Sequence, residues 1–437
     1  MPDKPGLTSH LNLNVRGLPI SATLGINERS HQLIKEGRRI YKLGLGQSPF
    51  PVPEVVVNEL KVNAFQKNYL PVLGLPELRS AVAEYYRRTQ GLNFAGEDVM
   101  IGPGSKELMF ILQLVYYGEL VIPTPSWVSY APQAHIIGRQ IKWLETDAKN
   151  NWKVTPENLE KLCSADPDRP RLIILNYPSN PHGYTYCDTE LEAIAAVARK
   201  YSILVLADEI YGEVHFLGEQ TSIAQFYPEG TIVSSGLSKW CGAGGWRLGT
   251  FTFPPQLQWL KNAMATAASE TYTSTSAPIQ YAAIKAFQGG PEIDEYLFQS
   301  RRILAHLAHT LVARLQQAGF DIAPTQGGFY LFLDFEMFRP GLAEKAIGDS
   351  VELCELLLND TGVALLPGVA FGRPPTELTV RIAFVDFDGA LALEAAGGIA
   401  HNTPLPDNFS ETQCADCVAA IDAICHWVGH LPQPTTR

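Results

Sequence analysis

No stretch of this 437-residue chain stays apolar for the roughly 18 residues a helix needs to cross a bilayer. The N-terminal Met1-Pro2-Asp3-Lys4-Pro5-Gly6 lacks the apolar core of a secretory signal, so a cytoplasmic protein with no membrane partner is expected. Basic runs and heptad seams are missing too. With 34 Lys plus Arg against 45 Asp plus Glu, the net charge is −11, which argues against electrostatic binding to nucleic acid. Seven cysteines, an odd number at irregular spacing, do not form a disulfide framework in so long a chain. What is present is a 46% hydrophobic composition, enough for two domains or for one large domain with an appendage. Small-molecule chemistry becomes the default expectation.

Local motifs narrow this further. Cys414, Cys417 and Cys425-His426 invite a metal reading, since thiolates and imidazole bind zinc. Yet Cys414, Cys417, Val418, Ile421 and Cys425 fall on one helical face behind a Ser410/Gln413 capping-box pattern. A buried helix is expected there, and no metal site. No Gly-x-Ser-x-Gly elbow or complete phosphate-binding P-loop occurs, and Gly236 breaks a Ser-x-x-Lys pattern at Lys239.

Periodicity gives the organisation. Leu78, Val82 and Tyr85 with Gly91 as a stop predict a helix over 76–90. Apolar strands are predicted at 172–175, 203–207 and 231–234, with a helix marked by Leu191, Ile194, Ala195 and Ala198 between the first two. Fully apolar strands alternating with helices mean an α/β fold whose mostly parallel sheet is covered on both faces. Further on, a long helix over 293–317, a strand over 327–332 and a helix over 351–359 predict a smaller α+β unit that takes in the N-terminal segment. The expected division is a large domain over 51–300 and a small domain over 1–50 and 301–437.

Ligands of such sheets bind beyond the carboxyl ends of the strands. The loops at 176–183 and 208–211 and the loop carrying Lys239 should therefore meet in one crevice. Lys239 is set among Gly, Ser and Trp, with no acid near it in sequence and Arg247 eight positions on. Such an amine can be neutral near pH 7, and only a neutral amine condenses with an aldehyde. Singly, each residue of these loops has a plainer reading: Lys239 and Arg381 as solvated cations, Asp208 as a helix cap, Asn180 as a turn former, Trp127 and Tyr69 as packing aromatics.

Nine spaced motifs, in order, resemble the pyridoxal 5′-phosphate-dependent aminotransferases of fold type I, class I/II. They are Leu43 to Phe50; Tyr69 with Gly74 to Arg79; Gly104 to Glu107; Pro123 to Tyr130; Asn176 to Gly183; Ala207 to Tyr211; the Lys239 loop; Pro367 to Gly372; and Val380 to Ile382. The resemblance covers about Ser21 to Phe387. It implies that Lys239 holds the cofactor as a Schiff base and then moves the substrate proton, that Asp208 faces the pyridine nitrogen, and that Asn180 and Tyr211 face the phenolate oxygen. Trp127 stacks on the ring. Gly104, Ser105 and Lys106 at a helix start, with Ser238 and Arg247, cup the phosphate. Tyr69 reaches the phosphate of a neighbouring subunit in a homodimer with shared active sites. Arg381 and the Gly46 N–H take the substrate α-carboxylate. The resemblance also implies cis peptides at Thr124-Pro125 and Asn180-Pro181, and a side-chain pocket drawing on 18–20, the loop near Tyr69 and the partner subunit.

Three features depart from the family pattern. Position 236 is Gly where a phosphate-binding Ser is usual, so Ser238 or Ser235 must serve instead. His182 replaces a small residue. Between Leu260 and Ser300 there is no arginine, although the best-known aspartate subgroup holds its substrate's side-chain carboxylate with one there. The expected function is amino transfer from an L-amino acid, aspartate or aromatic, to 2-oxoglutarate in two half-reactions. A lyase or synthase of the carbon–sulfur lyase or aminocyclopropane-carboxylate synthase kind is the alternative on the same fold.

Overall fold

The computed structural model describes residues 11–18 and 22–432. Its main sheet has seven strands: β1 (Val99–Gly102), β2 (Glu119–Thr124), β3 (Ile141–Glu145), β4 (Arg171–Asn176), β5 (Leu204–Asp208), β6 (Thr231–Gly236) and β7 (Gly249–Thr252), in the order β1-β7-β6-β5-β4-β2-β3. Pairing is parallel from β6 through β5, β4 and β2 to β3, and only β7 runs antiparallel to both its neighbours. The three strands predicted from apolar runs are β4, β5 and β6. Their alternate residues enter different cores: Leu172, Ile174, Leu204 and Leu206 on one face, Ile173, Leu175, Val205 and Ala207 on the other. Because both faces are buried, these strands read as continuous apolar runs.

Helix α1 (Pro76–Gln90) ends at Gly91 in the left-handed conformation (φ 66°), a position that glycine occupies without strain. Helix α2 (Ser105–Val115) follows β1 through Gly104, and α3 (Asp188–Lys200) links β4 to β5. The long α4 (Pro291–Gln317) leads to an antiparallel three-stranded sheet of β8 (Tyr330–Asp334), β9 (Leu366–Pro367) and β10 (Thr379–Ala383), ordered β9-β10-β8, with α5 (Ser350–Thr361) beside it. Residues 41–42 pair in parallel with 363–364, so the N-terminal segment does join the later part of the chain.

Two local expectations fail for packing reasons. The strand predicted from 327 starts only at Tyr330, because Gly328 takes φ 69° and Gly327 bridges instead to His215. The Ser410/Gln413 capping box does not form. Ser410 is buried in a short helix of its own, where its hydroxyl bonds His306 Nδ1 at 2.8 Å. Helix α6 (Ala415–Gly429) begins after Cys414 with no side-chain cap; Cys414 and Cys417 are buried and Cys425 partly so.

Candidate active site

Parallel register places Asn176 beside Asp208 and Asp208 beside Ser234, all at the carboxyl ends of β4, β5 and β6. The three loops that follow do converge. Asn176 Nδ2 donates to the Asp208 carbonyl at 2.8 Å, and Asn176 Oδ1 accepts from the Asn180 backbone N–H at 2.8 Å, aiming Asn180 inward. The peptide before Pro125 is cis, as expected. The second cis bond, however, is Tyr177–Pro178 and not Asn180–Pro181. Asn180 is held by its one backbone hydrogen bond to Asn176, within a turn closed by Gly183 N–H on the Ser179 carbonyl at 2.8 Å.

Asp208 is 3% exposed, and burial pushes its carboxyl up to about 6. Its partners are hydroxyls: Tyr130 donates to Oδ2 at 2.5 Å, and Ser234 lies 3.4 Å from Oδ1. Lys239 Nζ donates to the Gly46 carbonyl at 2.7 Å and lies 5.6 Å from the Tyr211 ring centre. Burial, with Arg381 acting in the same direction, brings its amine down to about 8, while Asp208 opposes the shift. An acid that is absent from the Lys239 loop is thus supplied in space by β5.

Arg381 enters from β10, 1% exposed. One amino group donates to Asn180 Oδ1 at 3.2 Å, another contacts the Gly44 carbonyl, and Nε has no partner. Its guanidinium stands over the rings of Tyr330 (4.8 Å) and Phe371 (5.1 Å). The Tyr211 and Tyr330 hydroxyls are 2.7 Å apart. Gly46 is required here, since a side chain would collide with the Tyr330 hydroxyl.

At the start of α2, Gly104 has φ 93°, and a Cβ on it would strike the Arg247 guanidinium; one on Gly249 would strike the Ser105 backbone. This close approach sets Arg247 against the free N–H groups of a helix N-terminus, with Lys106 nearby and over Trp127 at 5.5 Å. Burial and the Arg247 charge both lower the Lys106 pKa. Gly236 packs against the Leu248 carbonyl, which leaves no room for a serine. Ser235 is buried and lines a separate cavity with Tyr86 and Trp240, whereas Ser238 is partly exposed and does not line that cavity. Tyr69 stands 88% exposed, apart from this group.

The profile for aminotransferase class I and II matches residues 38–391. The chain belongs to that family. Its members use pyridoxal 5′-phosphate. An asparagine–oxo-acid transaminase of Streptococcus mutans is 32% identical over 375 residues, covering 83% of this chain and 92% of that protein. An aspartate aminotransferase of a Bacillus species is 32% identical over 382 residues, covering 85% and 93%. Among solved structures, the Thermus thermophilus aspartate aminotransferase with maleate superposes with a TM-score of 0.79 at 27% identity, covering 89% of this chain and 98% of that one. This aminotransferase therefore transfers amino groups, and the lyase alternative is not favoured.

The residues gathered here fit the family's cofactor on two observations and a substrate carboxylate on a third. Asp208 is a buried carboxylate whose side-chain hydrogen bonds come from hydroxyls and not from a cation, suited to a protonated ring nitrogen. The cradle formed by Gly104, Gly249 and Arg247 is open only because two side chains are missing. Arg381 keeps a buried donor without an acceptor. Sequence reasoning gave no role to Tyr130, Tyr330 or Asn176. Tyr130 and Asn176 lay inside quoted motifs, but the signal for Tyr330 was the bare Gly46 opposite it, visible only after folding. Of the expected side-chain pocket, residues 19–20 lie outside the described residues.

Proposed function

We propose that this aminotransferase uses pyridoxal 5′-phosphate held by Lys239 and moves the amino group of aspartate or an aromatic amino acid to 2-oxoglutarate. The observation that carries the reading is one amine, Lys239 Nζ, whose proton is loosened by burial and by the incompletely bonded Arg381, against the opposing charge of the buried Asp208. The cofactor supplies an aldehyde for amines to join and a ring that takes up the electron pair left when the substrate loses its Cα proton.

Asp208, steadied by Tyr130 and Ser234, keeps a proton on the ring nitrogen. Tyr211 donates to the phenolate oxygen. Asn180 does the same through its amide N–H, its carbonyl end being taken by Arg381. Trp127 covers the ring. Gly104, Ser105, Lys106, Ser238 and Arg247 bind the phosphate. Arg381 takes the substrate α-carboxylate on its planar fork, with the Gly46 N–H beside it. That would fix the Cα within reach of Lys239, whose free amine would take the proton there and return it. The nearest arginine beyond the arginine-free 260–300 stretch, Arg301, is committed to Glu213, so a side-chain carboxylate needs another partner.

Three further points belong to the same proposal. Residues 51–300 form the large, cofactor-binding domain, and 1–50 with 301–437 form the small domain that brings Gly46 and Arg381. Two chains pair so that Tyr69 of each serves the other's phosphate, which suits the exposure of Tyr69 beside Phe65 and Val62. The enzyme works in the cytoplasm. A panel of amino donors with 2-oxoglutarate, followed by glutamate formation, tests the function. Aspartate or aromatic donors should be consumed, and Lys239→Ala should retain cofactor noncovalently while turnover falls to background. Release of a 2-oxo acid from the donor with no glutamate formed would sink the reading.

A further inference from the structure

Tyr330 has no role in the scheme above, yet it touches three parts of it. Its hydroxyl is 2.7 Å from that of Tyr211, the Arg381 guanidinium stands over its ring at 4.8 Å, and the bare Gly46 backbone leaves room for its hydroxyl. The ring is 1% exposed and fixed by the β8–β10 ladder, where Tyr330 pairs with Ala383. Phe329, its neighbour in sequence, packs edge-on against Tyr211 at 5.6 Å.

Two hydroxyls in contact share one hydrogen. If Tyr211 supplies it, Tyr211 has nothing left to donate to a ligand; if Tyr330 supplies it, the Tyr211 hydrogen is free, and an oxygen that accepts one hydrogen bond donates a stronger one. We propose that Tyr330 is a positioning residue for amino transfer: its O–H donates to Tyr211, committing the Tyr211 hydrogen to the cofactor's phenolate oxygen, while its ring face supports the Arg381 that takes the substrate carboxylate. Burial raises both phenols above their ordinary range, so both hydrogens are present at working pH. One side chain thus joins the group that binds the substrate's acid to the group that tunes the cofactor. The inference rests on the amino-transfer reading.

The test is a pH titration of the visible absorbance of the lysine-bound cofactor in the holoenzyme, with steady-state kinetics beside it. A weaker donor at the phenolate oxygen favours the protonated form of the linkage, so Tyr330→Phe should move the midpoint up by about half a unit to one unit. Its kcat should fall about threefold to tenfold with KM for the amino donor nearly unchanged, because the ring remains. Tyr330→Leu should add a rise in KM. Tyr211→Phe should shift the midpoint on its own, and adding Tyr330→Phe to it should shift the midpoint no further. A wild-type midpoint in Tyr330→Phe overturns the inference. So does a full extra shift in the double variant, and so does a Tyr330→Phe chain that fails to fold, which would make the hydroxyl part of the framework. Wild-type protein that neither binds the cofactor through Lys239 nor forms glutamate fails earlier, and that result strikes the functional reading itself.

Discussion

Arg171 and Arg381 are both almost completely buried, at 2% and 1% exposure, and only one of them is neutralised. Arg171, at the start of β4, has Nε 3.1 Å from the Glu119 carboxylate and a second bond to the Arg169 carbonyl at 3.2 Å. Arg381 has amide and backbone oxygens, two aromatic faces and an Nε with no acceptor. Asp208 mirrors it with the opposite sign, held by hydroxyls and pushed up to about 6 by burial. A buried charge that serves the fold is paired within the chain, because an unpaired one is costly. A buried charge left short of its counter-ion, at the carboxyl ends of the strands, is waiting for a ligand.

The sharpest way to break this comparison is Arg381→Met. Two charge-assisted contacts to the substrate are lost, so kcat/KM for amino donors should fall by about 100-fold or more. The melting temperature should hold or rise, because an incompletely bonded buried charge has been removed. A clear loss of stability at full activity would reverse the assignment. Arg171→Met is the counterpart. It removes the nearer of the two arginines on Glu119, Arg169 staying at 3.5 Å, and should cost about 2 kcal/mol in denaturant unfolding, while activity per folded molecule stays at wild-type level. Should the two variants behave alike, the distinction between framework and ligand charges fails.

A smaller effect concerns Lys239, which sits between the two unpaired charges. Its pKa is lowered to about 8, so the neutral amine is the minority form below that pH and the majority above it. The rate at which apoenzyme takes up pyridoxal 5′-phosphate should rise about tenfold from pH 7 to 9 and then level off. Asp208 raises the Lys239 pKa, so Asp208→Asn should move that midpoint to lower pH. A rate still climbing steeply above pH 9 would show an ordinary solvated lysine.

Much of the site was legible in the sequence because its residues follow strands that announce themselves. The runs that became β4, β5 and β6 are apolar on both faces, so the residues after them had to lie at one edge of the sheet. The helix over 76–90 was equally plain, with its apolar spacing and glycine stop. Other features were hidden because they depend on partners far along the chain. The Ser410 cap was lost to His306, 104 residues away, and the second cis bond fell at Pro178 where the motif suggested Pro181.

What the sequence determined by itself was the set of chemical groups and the strand ends that carry them, since these follow from local periodicity and residue type. What the tertiary structure decided was which groups are left unsatisfied. Tyr211 meets Tyr330 across 119 residues and Arg381 meets Asn180 across 201. The protonation of Lys239 and Asp208 depends on how completely those distant segments exclude water. A charge's type is written locally, but its energy is set by everything packed around it.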